Sequence, residues 1–164
     1  MPVEEPRLDL NRFSPDAYRH LLQLEGLISQ QFDPILYHLI KLRASQINGC
    51  AFCLQMHTDE ALRLGEKPER MTSLAGWHES PLYTDRERAV LAWVDEVTLI
   101  ADKHASKEAY EGLKEHFTDD EIGWLILAVV QINSWNRIAI STRAQYHPAM
   151  FADRAHSAKA TEPA

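Results

Sequence analysis

Cys50 and Cys53 are the only two cysteines of this chain of 164 residues, and His57 follows the second of them by four positions. A disulfide between them would close a loop too short to constrain the unfolded chain appreciably, so a fold-stabilising crosslink is a poor explanation. Three readings stand at this level: a redox pair, half of a metal site, or an accident of composition. The thiolate is both the nucleophile and the metal ligand of cysteine, so the surroundings must choose among them.

Those surroundings are legible. Asn48-Gly49 marks a break, and the run CAFCLQMHTDEALRL after it contains no glycine or proline. As a helix from about Asn48 to Gly65, it puts Cys50, Cys53, His57 and Glu60 on one stripe, at spacings of three, four and three. Both cysteines then lie in the first turns, where free N–H groups and the helix dipole favour a thiolate. His57 can take the thiol proton, and Glu60 can orient His57 from the next turn. By its chemistry this is a redox site. Blander readings stand beside it. Two thiols on a helix can act as small hydrophobes, Glu60 can pair with Arg63, and His38 alone reads as a packed core histidine.

The segment LIKLRASQINGCAFCLQMHTDEALRLGE resembles the AhpD-like alkyl hydroperoxidases of the carboxymuconolactone decarboxylase superfamily. The C-x-x-C-x-x-x-H core and the preceding S-Q-I-N-G carry the match. INSWNRIAIS, from Ile132 to Ser141, is similar to the Asn-x-Trp-Asn-Arg stretch of the same group. The resemblance spans roughly residues 15–148, the size of one core. It implies an AhpD-like helical bundle and a thiol-dependent peroxidase reducing alkyl hydroperoxides, re-reduced by an external lipoyl-type or thioredoxin-like dithiol. It also implies a homo-oligomer, a trimer or hexamer. Family enzymes commonly carry a basic glutamate twelve residues before the first cysteine, and His38 stands there in this chain. Members that act as decarboxylases lack the cysteine pair, so Cys50 and Cys53 argue against lactone decarboxylation. In the peroxidase reading Cys53 attacks the peroxide, because His57 is one turn away, and Cys50 resolves. The reverse assignment is the alternative, since Cys50 is nearer the helix N-terminus. No flavin, haem or nucleotide motif is present, so no cofactor is expected and the electrons come from outside. The competing reading is a non-enzymatic zinc-binding or redox-sensing module using Cys50, Cys53, His57 and His38. A second C-x-x-C is missing for it.

Length and charge narrow the class. The chain suits a single domain, and its net charge of −7 argues against nucleic acid or an anionic membrane surface as partner. No apolar run approaches the roughly 18–20 residues of a membrane span. MPVEEPRLDLNRFS lacks the apolar region of a secretory signal, which points to a cytoplasmic location. There a C-x-x-C is more often catalytic or metal-binding than structural.

The remaining elements read as all-α. Residues 1–13 form an extended arm, residues 14–151 the helical domain, and residues 152–164 a mobile tail. Ser14-Pro15 caps a helix whose stripe of Leu21, Leu22, Leu24 and Leu27 faces the core. Asp33-Pro34 opens a helix to about Gln46, with His38, Leu42 and Ser45 on one face. A short helix from Pro68 to about Leu74 precedes a loop in which Trp77-His78 either covers the site or packs. Thr84 or Asp85 caps RERAVLAWVDEVTLIA, which turns Val90, Leu91, Val94 and Val97 inward, and a short helix follows from Lys107 to Phe117. Thr118 to Glu121 is a capping-box signature opening the most apolar helix, hydrophobic nearly all round, with Pro148 at or beyond its end. Its Asn133, Trp135, Asn136 and Arg137 either line the site or bind a neighbouring subunit, and the interface is the favoured expectation. Ser45 is expected to bond within its own helix, and Asn48 to serve as a turn or cap residue.

Overall fold

The computed structural model describes residues 5–147. Among them the regular structure is helical throughout, with no strand. In order come α1 (Leu10–Phe13), α2 (Pro15–Ser29), α3 (Pro34–Asn48), α4 (Ala51–Arg63) and α5 (Pro68–Ser73). A 3-10 turn at Leu74–Gly76 leads to α6 (Asp85–Thr98), α7 (Ile100–Lys103), α8 (Lys107–Lys114) and α9 (Asp119–Thr142). No helix among the described residues is long and apolar enough to cross a membrane.

Local chemistry sets the helix starts. The Asp33 carboxylate accepts the N–H groups of Ile35 and Leu36, and Pro34 takes the first helical position, where its missing N–H costs nothing. Thr84 with Glu87, and Thr118 with Glu121, each make both halves of a capping box. Gly65, with φ of +90°, ends α4 as expected of a glycine just past a helix.

The helix buried on nearly every side is α3, which packs against α4, α6 and α9. Ile40 and Ala44 on one face join Val90, Val94, Val129 and Ile132 in the larger core. Leu39 and Leu42 on the other join Ala61, Leu74, Trp77 and Leu91 in the smaller one. A helix shared by two cores is held from both sides, and residues on the edge between them are placed rigidly.

Five expectations need correction. The arm is not extended throughout: Asp9 accepts the N–H groups of Asn11 and Arg12 and nucleates α1. The Arg7 N–H meanwhile ties the segment to the Thr142 carbonyl at 2.9 Å. In α2 the leucine stripe does not face the core. Leu22 and Leu27 are exposed, while Ile28 is fully buried and Leu24 packs beside it, because only the last turns of α2 reach the larger core. Ser14 starts that helix but makes no side-chain cap bond. In α9 one face is buried, but Ile126, Leu127, Val130 and Ile140 lie on the other and are exposed. The long run from Asp85 breaks at Leu99 and restarts as α7, so α6 ends at Thr98. The expected tail, residues 152–164, and Pro148 lie outside the described residues.

Candidate active site

The turn between α3 and α4 builds the cysteine site. Gly49 adopts φ of +69°, a left-handed conformation that side chains disfavour, and closes α3 at Asn48. The chain then enters α4 through Cys50, which is extended and acts as the N-cap. Its sulfur accepts the Cys53 N–H at 3.3 Å. The redox helix therefore starts at Ala51 rather than at Asn48, three residues later than expected, because Asn48-Gly49 belongs to the end of the preceding helix. Cys50 and Cys53 are joined as a disulfide with Cα atoms 5.4 Å apart, and each is 1% exposed.

Asn48 locks this turn to α9. Its Nδ2 donates to Asn133 Oδ1 at 3.0 Å and to Asn136 Oδ1 at 2.9 Å. Asn136 Nδ2 donates in turn to Ser45 Oγ at 3.0 Å, and Asn133 Nδ2 to Thr98 Oγ1 at 3.1 Å. Arg137 donates to the Asn133 carbonyl and side chain. It is not a neighbouring subunit that satisfies Asn133 and Asn136. Buried amides need partners, and Asn133 and Asn136 find theirs within the chain. Ser45 likewise bonds across to α9, not only within its own helix.

Three of the anticipated groups converge one to two turns along α4. His57, almost wholly buried, shares a hydrogen bond of 3.0 Å between Nδ1 and Glu60 Oε2. His38 reaches the same oxygen from α3, with Nδ1 at 3.8 Å, and the two imidazole centroids are 5.7 Å apart. Glu60 therefore serves the histidines rather than the surface. The Nδ1 of His38 is buried and has no hydrogen-bond partner. Burial pushes the His38 imidazole down to about 4, with His57 adding to the effect. Burial also lowers His57 below its ordinary value, against the pull of Glu60. Burial raises Glu60, but the His57 hydrogen bond and neighbouring positive charge outweigh it and leave the carboxyl below the usual range. The cluster at neutral pH is two neutral imidazoles around one carboxylate.

These groups open on a cavity of about 640 Å³. Cys53, His57, His38 and Glu60 line it, whereas Cys50 does not. Tyr18, Leu22, Phe52, Met56 and Trp135 make much of the rest of the wall apolar. The segment before α1 contributes Pro6 and Leu8. A second polar group in the wall had no sequence signal. Lys41 pairs with Glu25 of α2, whose oxygens also accept Tyr37 Oη and Trp135 Nε1, each at 2.9 Å. Burial raises Glu25, but Lys41 and these donors more than offset it and keep it ionised. Trp135 had been singled out in sequence but assigned to an interface; Glu25 and Lys41 sit 16 residues apart on separate helices. Trp77 and His78 stack on each other at 3.7 Å, with Trp77 buried in the smaller core and bonded to Asp95, so they pack and do not cover the site. With both sulfurs in a disulfide, neither cysteine offers a thiolate to zinc, and the four-ligand set of Cys50, Cys53, His57 and His38 cannot form in this state.

Comparison with known proteins places the architecture. The model of the carboxymuconolactone decarboxylase family matches residues 15–96. The chain is 36% identical over 136 residues to the uncharacterized protein YdfG of Bacillus subtilis, covering 82% of this chain and 92% of that one. A crystal structure of a protein of unknown function from Agrobacterium tumefaciens, for which an AhpD antioxidant-defence role has been suggested, superposes with a TM-score of 0.84. It is 43% identical, and the match covers 87% of this chain and 99% of that one. An uncharacterized peroxidase-related protein from Ralstonia eutropha, with an alkylhydroperoxidase AhpD core, gives a TM-score of 0.74 at 19% identity. That match covers 86% of this chain and 76% of the other. At that identity the likeness speaks for the fold alone.

Proposed function

Because the chain belongs to the carboxymuconolactone decarboxylase family and has an AhpD-like all-α fold, we propose that it is a thiol-dependent peroxidase cycling through Cys50 and Cys53. The observation that carries this reading is the C-x-x-C pair at the start of α4, with one sulfur facing a large cavity beside the His57–Glu60 pair.

In the reduced chain Cys53 is the attacking sulfur, since it is the cysteine that lines the cavity. Neutral His57 takes its proton, and Glu60 holds the ring and stabilises the imidazolium. The thiolate attacks the distal oxygen of the hydroperoxide, the O–O bond breaks, and the alkoxide takes a proton to leave as an alcohol. Cys53 is now a sulfenic acid. The Cys50 sulfur attacks it, the S–S bond forms and the oxygen leaves as water. An external dithiol then attacks the Cys53 sulfur. Cys50 departs as a thiolate stabilised by the Cys53 N–H and the N-terminus of α4. Burial of both cysteines, with only Cys53 at the cavity wall, favours a slender dithiol such as a lipoyl group over the flat face of a thioredoxin-like protein. The mixed apolar wall favours alkyl hydroperoxides over hydrogen peroxide.

The exposed face of α9, with Ile126, Leu127, Val130 and Ile140, supports a homo-oligomer. Light scattering should give a mass above that of one chain. The activity is tested by peroxide consumption with a panel of dithiols. Turnover of an alkyl hydroperoxide with a lipoyl donor is expected; no consumption with any dithiol would set the reading aside.

A further inference from the structure

The His38–His57–Glu60 cluster has a geometry that the peroxidase cycle does not require. One nitrogen from each ring and one Glu60 oxygen lie within 4.8 Å of one another. Two of the three edges of that triangle are 3.0 Å and 3.8 Å, both meeting at Glu60 Oε2. A zinc ion about 2.0–2.2 Å from nitrogen and oxygen ligands holds adjacent donors roughly 3.0–3.5 Å apart. The His38–Glu60 edge of 3.8 Å would shorten by a few tenths of an ångström, and the edge between the two rings, no longer than 4.8 Å, would close with it. A proton relay through His57 needs one partner for that ring, which Glu60 supplies; His38 brings a second imidazole to the same oxygen from another helix.

The second observation is the His38 Nδ1 itself. It is buried and unpartnered, which is unfavourable unless something meets it. We propose that His38, His57 and Glu60 form a binding site for a divalent transition-metal ion of the zinc class. Two imidazoles and one carboxylate are the donor set of open three-ligand zinc sites and of facial non-haem iron sites; calcium and magnesium prefer oxygen alone. The remaining coordination position faces the cavity, where Cys53 also lies. The neighbouring cation, Lys41, does not oppose a second positive charge strongly, because Glu25 already neutralises it. The rings approach from α3 and α4, and α3 is fixed between two cores, so the triangle is held before a metal arrives.

The site is distinct from one that uses the cysteines, because it needs no thiolate and can fill in the disulfide form. Its consequence for turnover rests on the peroxidase reading: a metal on His57 Nδ1 and Glu60 takes away the hydrogen bond by which Glu60 holds the ring and stabilises the imidazolium, so the ion slows the cycle reversibly. The binding itself does not rest on that reading.

The test uses the untagged, full-length protein in its disulfide form, dialysed against zinc and separately against cobalt near pH 7.5. Elemental analysis is expected to find about one zinc per chain, with a visible cobalt spectrum of low-symmetry nitrogen–oxygen coordination. Glu60→Gln, nearly isosteric, and His38→Ala should each weaken binding by at least the roughly 10–100-fold that loss of an outer-shell partner costs. His78→Ala, an exposed histidine elsewhere, should change nothing. Unfolding midpoints show whether His38→Ala is folded; should it not be, Glu60→Gln decides alone. No stoichiometric metal on the wild-type chain overturns the proposal. So does metal that stays after Glu60→Gln, which would be a surface histidine at work. Failure of peroxide turnover leaves the metal result untouched, so the two readings fail separately.

Discussion

Two buried polar clusters in this small fold are built differently. Beside the smaller core, Arg70 is saturated. Its guanidinium meets Glu66 and Glu87 and the Leu82 carbonyl, while Arg43 grips Asp95 through two nitrogens. Beside the cavity, His57 and Glu60 make one good bond, His38 stands 3.8 Å off, and its Nδ1 has no partner. The first cluster ties α5 and α3 to α6. The second keeps an unpaired nitrogen next to a cavity and the Cys50–Cys53 pair. A satisfied network serves stability, and an incompletely satisfied one beside a cavity is where reactivity can reside.

That contrast can be broken by substitution. His57→Ala should slow the reaction of the reduced chain with alkyl hydroperoxide by roughly 10²–10⁴-fold, the usual range for a general base. It should leave the unfolding midpoint nearly unchanged. Arg70→Ala should do the reverse. It strands Glu66 in the interior and should cost about 3 kcal/mol of stability, read by urea unfolding, with the rate per folded molecule unaltered. If both substitutions act on rate, or both on stability, the division between the clusters is wrong.

His38 sharpens the comparison, since the resemblance implies a glutamate at its position. His38→Ala should slow the thiol reaction, and His38→Glu should recover much of the rate, with thiol alkylation across pH as the readout. Substitutions that change only stability would return His38 to the role of a packed side chain. The smallest expected effect is on pH dependence. The His38 pKa falls to about 4 in the folded chain, against about 6.5 unfolded. The folded state therefore binds this proton more weakly than the unfolded one. The stability that comes from keeping the ring neutral is full above pH 6.5 and is lost as pH falls towards 4, by about 3 kcal/mol at most. His38→Gln should flatten the stability curve over that window relative to the wild-type chain.

What the sequence could disclose here was local. The stripe of Cys53, His57 and Glu60 follows from helical spacing, and the Thr118–Glu121 box from four adjacent residues. Both are found in the structure. The helix from Pro34 was foreseen but its central burial was not, because His38, Lys41 and Arg43 make α3 look amphipathic at best, while the apolar α9 looks like the buried one. Lys41 and His38 are tolerated inside only because Glu25 and Glu60 arrive from α2 and α4. Partners separated by a whole helix leave no periodic trace. The same holds for Asn48 with Asn133 and Asn136, 85 and 88 residues away. Polar residues in an apolar helix were correctly read as needing partners, but their partners lay inside the chain rather than on another copy.

The account turns on whether Cys50 and Cys53 exchange their thiol hydrogens for a disulfide when a peroxide is reduced. The most direct measurement reacts the fully reduced chain with one equivalent of tert-butyl hydroperoxide, then reads intact mass and tert-butanol together. The predicted result is a loss of two hydrogens per chain with about one tert-butanol released, and a Cys53→Ser chain that releases none. Reduced cysteines that persist while the peroxide remains, or alcohol released equally by Cys53→Ser, would contradict it.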